Sequence, residues 1–121
     1  MDLITLDFQQ ARIKQILFKS QLRSVLYGVR EADEALFSPQ SSALGQWLST
    51  EVKARYPGRP EVREAERLLQ QLLSTGRELA TQYRQGQIEE ARQGLTRVDQ
   101  VGEQLVGVLQ QLGTRPAPLA T

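Results

Sequence analysis

Two consecutive heptad runs joined by four residues constrain this chain more than any other feature. Val62, Ala65, Leu69, Leu72, Gly76, Leu79 and Tyr83 recur at alternating threes and fours. Ile88, Ala91, Leu95, Val98, Gly102, Leu105, Leu109 and Leu112 repeat the pattern. Such spacing gathers each set on one face of a helix. The connector Arg84-Gln85-Gly86-Gln87 is so short that the two helices read as an antiparallel hairpin. Matching position 83 with 88 sets Gly76 near Leu95 and Gly102 near Leu69. Glycine inside a helix costs about 1 kcal/mol against alanine. The two seam glycines therefore predict close packing, each against a leucine of the partner helix. Gly113 marks the expected end of the second run. A single domain over 1–113 followed by a flexible tail, 114–121, is the resulting organisation.

Upstream, Phe8, Ala11, Phe18, Leu22, Val25 and Val29 form a third helical stripe. Asp7 is placed to cap its first turn, with Gln10 at the capping-box position. One member of the stripe is missing, because Gln15 stands where the period wants an apolar side chain. Gly28 and the charged run Arg30 to Glu34 end this helix. A breaker, Ser38-Pro39-Gln40-Ser41-Ser42, leads into a shorter helix from Ala43 to about Tyr56 that carries Leu44, Trp47, Leu48 and Val52. Pro57-Gly58 stops it, and Pro60 suits the first turn of the next helix. The fold class is all-α: an antiparallel four-helix bundle with three long helices and one short.

Composition narrows the chemistry. The 121 residues include no cysteine and no histidine. A thiol nucleophile, a disulfide, an imidazole base and a zinc site of the usual N and S ligands are thereby excluded. Fifteen basic against fourteen acidic residues leave a charge of +1, so no bulk attraction to nucleic acid or anionic lipid is expected. No apolar run is long enough to span a membrane, and Met1-Asp2-Leu3-Ile4 lacks the start of a signal peptide, which predicts a cytoplasmic protein. Glu64, Glu66, Glu89 and Glu90 are the closest carboxylates in sequence. Glu89 and Glu90 point to different sides of a helix and suit the dipole of its first turn rather than acid–base work. Arg12, Lys19 and Arg23 fall on one flank of the first helix, a row that can dock an acidic partner or simply face solvent.

Three segments together resemble a known family. Ala11-Arg12-Ile13-Lys14-Gln15-Ile16-Leu17-Phe18-Lys19-Ser20-Gln21-Leu22, continuing to Gly28, looks like the opening helix of chemoreceptor zinc-binding (CZB) domains. Ser42-Ala43-Leu44-Gly45-Gln46-Trp47-Leu48 is similar to their Cys-x-x-Gly-x-Trp segment. Arg77-Glu78-Leu79-Ala80 with Tyr83 to Arg92 resembles the stretch after their paired histidines. The resemblance covers about residues 7 to 112. It implies a four-helix bundle, usually dimeric, of the kind found in bacterial chemoreceptors and diguanylate cyclases. Family members hold zinc with three His and one Cys. The matching positions here are Gln15, Ser42, Leu69 and Leu73, so all four ligands are absent and no cofactor is expected. Gln15 is then expected to hydrogen-bond Ser42 or a backbone group, with Leu69 and Leu73 adding apolar contact.

The expected function is that of a metal-free, non-enzymatic module of bacterial signalling, dimerising or docking onto a signalling protein. The alternative is a small-ligand sensor that uses the bundle interior around Gln15 and Ser42. A dense core favours the first and an open pocket with convergent polar groups the second.

Overall fold

Every regular element among the described residues is helical. The computed structural model describes residues 3–114, with side chains placed from 9 to 112. The elements are α1 (Leu3–Leu26), a 3-10 turn (Glu34–Phe37), α2 (Ala43–Trp47), a π-helical turn (Leu48–Val52), α3 (Lys53–Arg55), α4 (Pro60–Arg84), α5 (Ile88–Gln93) and α6 (Leu95–Thr114).

Helix α1 starts at Leu3, so Asp7 lies within it and not at its cap. Leu3-Ile4-Thr5-Leu6 contains no helix breaker, and a cap preference of about 1 kcal/mol does not interrupt such a run. The side chains of Asp7 and Phe8 lie outside the described residues. Gly28, with φ at 75°, closes the helix in a Schellman motif. Its N–H donates to Val25 at 3.2 Å and that of Val29 donates to Ser24 at 2.8 Å. Val29, expected at the end of the buried stripe, falls beyond this turn and is 77% exposed. Arg92 fastens the same helix end: its Nε donates to the Leu26 carbonyl at 2.9 Å while its guanidinium lies 4.1 Å from the centre of the Tyr27 ring. A cation there also answers the negative end of the helix dipole.

After Gly28 the charged run leads into the 3-10 turn, which was not legible beforehand. Asp33 accepts from the Ala35 N–H at 3.0 Å, and Leu36 and Phe37 are buried. Ser42 caps α2 as predicted, accepting from the Gly45 N–H at 3.1 Å. The expected single helix from Ala43 is present but widened by the π-helical turn, in which the Lys53 N–H reaches back to the Leu48 carbonyl. Leu44, Trp47, Leu48 and Val52 all face inward. Pro60 opens α4, as its fixed φ and missing N–H favour.

A second Schellman motif, with Gly86 at φ 90°, reverses the chain after α4. The returning helix is not continuous. It breaks at Gly94, where an added Cβ would stand 2.3 Å from Leu79 Cδ2, so the leucine occupies the space a side chain would need. Glu78 meets Arg97 at 3.7 Å. The hairpin is thus slid past the register that pairs 83 with 88, and Ile88 is 40% exposed. Helix α6 runs through Gly113 to Thr114, and the rest of the expected tail lies outside the described residues.

The seam glycines are closely approached, but not by the predicted leucines. An added Cβ on Gly76 would lie 2.9 Å from Phe18 Cζ and 3.3 Å from Phe37 Cε1. On Gly102 it would lie 2.2 Å from Gln15 Nε2. Heptad spacing identifies the inward face but is blind to a third helix entering the seam. Here α1 enters it, packing against both α6 and α4. Phe18 and Phe37 meet edge to face, with ring centres 6.5 Å apart.

Gly45 has the least room of all. An added Cβ would fall 2.0 Å from the Pro39 carbonyl oxygen, a backbone atom that cannot rotate away. Gly45→Ala gains up to about 1 kcal/mol in helix propensity. We expect overpacking to outweigh this, for a net loss of about 1–3 kcal/mol read by urea unfolding.

Candidate functional site

The four positions matching the family's zinc ligands are all buried: Gln15, Ser42, Leu69 and Leu73. Gln15 keeps only 6% of its surface exposed. It projects from α1 onto the bare backbone of Gly102, within 3.0 Å of where that residue's Cβ would be. Ser42 does another job. Its Oγ accepts the Gly45 N–H and caps α2, and no hydrogen bond joins it to Gln15 among the described residues. The expected hydrogen bond of Gln15 to Ser42 or to a backbone group is therefore not formed among the described residues. Leu69 and Leu73 sit one turn apart on α4 within the apolar core. An amide, a capping hydroxyl and two isobutyl groups do not fit zinc, which takes thiolate, imidazole or carboxylate ligands. Nor does any other group of three or more His, Cys, Asp or Glu gather for a metal among the described residues.

The carboxylates named from sequence are not brought together. Glu64 pairs with Arg67 one turn on, and Glu66 with Lys53 at 3.6 Å. The hydrogen bond from Arg67 holds the Glu64 carboxyl below its ordinary range, opposed by desolvation and helped by the positive charge of Arg67. The carboxylate that sequence reasoning missed is Glu61, which is buried beside Arg59 at 3.3 Å in the first turn of α4. The pair sits where the chain enters the helix. Also unforeseen is Gln82, whose Oε1 is buried with no partner.

The basic row on α1 is largely answered within the chain. Arg12 meets Glu103 at 3.5 Å and Lys19 meets Asp99, two ion pairs that bridge α1 and α6. Arg23 lies 5.5 Å from the Tyr27 ring centre. Exposed pairs of this kind contribute at most about 1 kcal/mol each. The row thus reads as a rim of the α1–α6 seam as much as a docking strip.

The outward face of α1 beside this row is different. Ile13, Ile16 and Leu17 are 60%, 55% and 46% exposed. They lie on one strip with Gln9, Gln10, Ser20, Ser24 and Tyr27, eight positions without a charge. A solvated helix face normally carries charges. Sequence periodicity could have exposed this second stripe, since Ile13, Ile16 and Leu17 follow the helical spacing.

Two cavities adjoin α1, one along its middle and one at its end. One, of about 200 Å³, is lined by Ser42 together with Lys14, Phe18 and Leu36. The other, of about 750 Å³, opens between the end of α1, the 3-10 turn and α4, with Val25, Phe37, Arg77, Ala80 and Arg84 in its wall. Gln15 lines neither. No helix among the described residues is long and apolar enough to cross a membrane. Compared with family models, curated proteins and solved structures, the chain has no match.

The contact of Gln15 with Gly102 is testable as a coupled pair. Gly102→Ala alone should cost about 1–3 kcal/mol, because the new methyl meets a buried amide. With Gln15→Ala present as well, part of that cost should disappear. Denaturant titration of both single variants and the double variant should give a coupling of at least about 0.5 kcal/mol. Additive effects would mean that the two residues do not share this space.

Proposed function

We propose that the chain is a metal-free, CZB-like antiparallel four-helix bundle that acts by contact, pairing with a second copy within a bacterial signalling system. On this reading it is a cytoplasmic regulatory or interaction module without catalytic activity. The observation that carries it is the uncharged outer strip of α1, with Ile13, Ile16 and Leu17 left to solvent. Scattered exposed apolar residues need no explanation, but a contiguous strip marks an interaction surface.

The strip has a self-complementary spacing. Turned end for end about a point between Ile16 and Leu17, it sets Ile16 against Leu17 of a second copy. The same operation sets Ile13 against the small Ser20, and Gln9 against Ser24. Isologous pairing about a two-fold axis needs this kind of symmetry in the spacing. The side chains at Gln15, Ser42, Leu69 and Leu73 support the metal-free part of the reading, because none is a thiolate, imidazole or carboxylate.

Light scattering at micromolar concentration tests the pairing. The expected mass is twice the 13.6 kDa of the chain. Ile16→Glu should return it to a single chain with its helicity unchanged, since the residue is exposed in the isolated chain. A wild-type mass of 13.6 kDa would contradict the pairing. The family part is tested separately by restoring the ligands together: Gln15→His, Ser42→Cys, Leu69→His and Leu73→His. The quadruple variant should bind one zinc ion and melt higher with it than with a chelator. A folded variant that ignores zinc would break the residue correspondence on which the family reading stands.

A further inference from the structure

The cavity of about 750 Å³ between the end of α1, the 3-10 turn and α4 sets three arginines beside an apolar wall. Its size lies within the range of small-molecule sites, about 300–1,000 Å³. Arg77, Ala80 and Arg84 follow one another at three and four residues along α4, so two guanidinium groups flank a small residue on one helical face. Arg30 contributes a third guanidinium from the loop after α1. The apolar part of the wall comes from Val25, Phe37 and Ala80, all buried, and Val29 stands at the same cavity as the most exposed of the large apolar residues.

The three arginines are not equivalent. Arg77 is engaged by Glu34, an ion pair that ties α4 to the 3-10 turn. Arg30 and Arg84 have no side-chain partner among the described residues. Glu31, the other acid of the lining, forms no ion pair with them. Helix ends usually explain such cations, because the last carbonyls of a helix attract them. That explanation is weak here. The carbonyls of Ser24 and Val25 and those of Gln82 and Tyr83 are already taken by the two Schellman turns, and that of Leu26 by Arg92. Two forked donors are left beside an apolar wall.

We propose that this cavity binds a small organic anion with an apolar body, its carboxylate held by Arg30 and Arg84 and its body against Phe37, Val25 and Ala80. Guanidinium groups recognise a carboxylate through paired N–H donors, and the apolar wall selects against a bare ion. The site lies apart from the positions that match the family's zinc ligands. It does not depend on pairing through the outer strip of α1.

The probe is 2-naphthoate, titrated into the full chain by calorimetry and by amide NMR. The neutral 2-naphthamide and inorganic phosphate serve as comparisons. One naphthoate should bind per chain, with shifts confined to Val25, the loop from Gly28 to Glu34 and the end of α4. Arg84→Gln and Arg30→Gln should each weaken it about tenfold, the effect of losing one charged hydrogen-bonding partner. Both residues are exposed, and unchanged circular dichroism will show that the variants fold. Naphthamide should bind far more weakly, and phosphate should not displace the naphthoate. Four results would each overturn the proposal: no binding at millimolar naphthoate, equal affinity in both variants, equal affinity for the amide, or displacement by phosphate.

Discussion

Everything in this fold depends on how closely α1 approaches the hairpin of α4 and α6. Two glycines permit it, one on each helix. Phe18 stands over Gly76 and Gln15 over Gly102, three residues apart on α1. One turn of one helix therefore locks onto two others. A larger residue at either glycine would meet Phe18 or Gln15 and disturb the packing of α1, where Leu22, Val25 and Leu26 are now almost fully buried. The helix-propensity cost of the two glycines, about 1 kcal/mol each, is offset by the apolar surface that close packing removes from water, at roughly 25 cal/mol per Å².

That approach also sorts the surfaces of α1. The inner face is committed to the core, and one flank is committed to α6 through Arg12 and Lys19. In the outer strip Ile13, Ile16 and Leu17 stay exposed among the described residues, while Tyr27 at its end is covered by Arg23 and Arg92. The end of α1 has a second unspent resource. Its carbonyls are closed off by backbone turns and by Arg92, and Arg30 of the loop and Arg84 of α4 have no side-chain partner among the described residues. Both candidate surfaces are defined by what the core leaves over.

Much of this was legible in the sequence, for physical reasons that differ from part to part. The helices announced themselves through apolar spacing, and Ser42, Gly28 and Pro60 marked their ends because cap and turn conformations suit few residue types. Gln15 stood out as a polar residue in an apolar stripe, and it is indeed buried. The need for close packing at Gly76 and Gly102 could be read, but not its partners. A two-helix pattern specifies faces and says nothing of which third element fills a notch. The break at Gly94 and the π-helical turn at Leu48–Val52 were hidden, since both arise from tertiary fit and not from local preference. The α1 outer strip was present in the spacing but masked by the stronger inward stripe.

The segment from Ala43 to Arg55, with its π-helical turn, has one more consequence. It carries the only tryptophan of the chain, Trp47, which is buried. Indole emission will therefore follow the docking of this short segment, while the far-ultraviolet circular dichroism is dominated by the three long helical stretches. The two signals watch different parts of one molecule. If they change together on heating, the segment and the long helices melt as a single cooperative unit. If the emission changes first, the segment lifts away while the long helices persist, and the molecule holds a built-in reporter of partial opening.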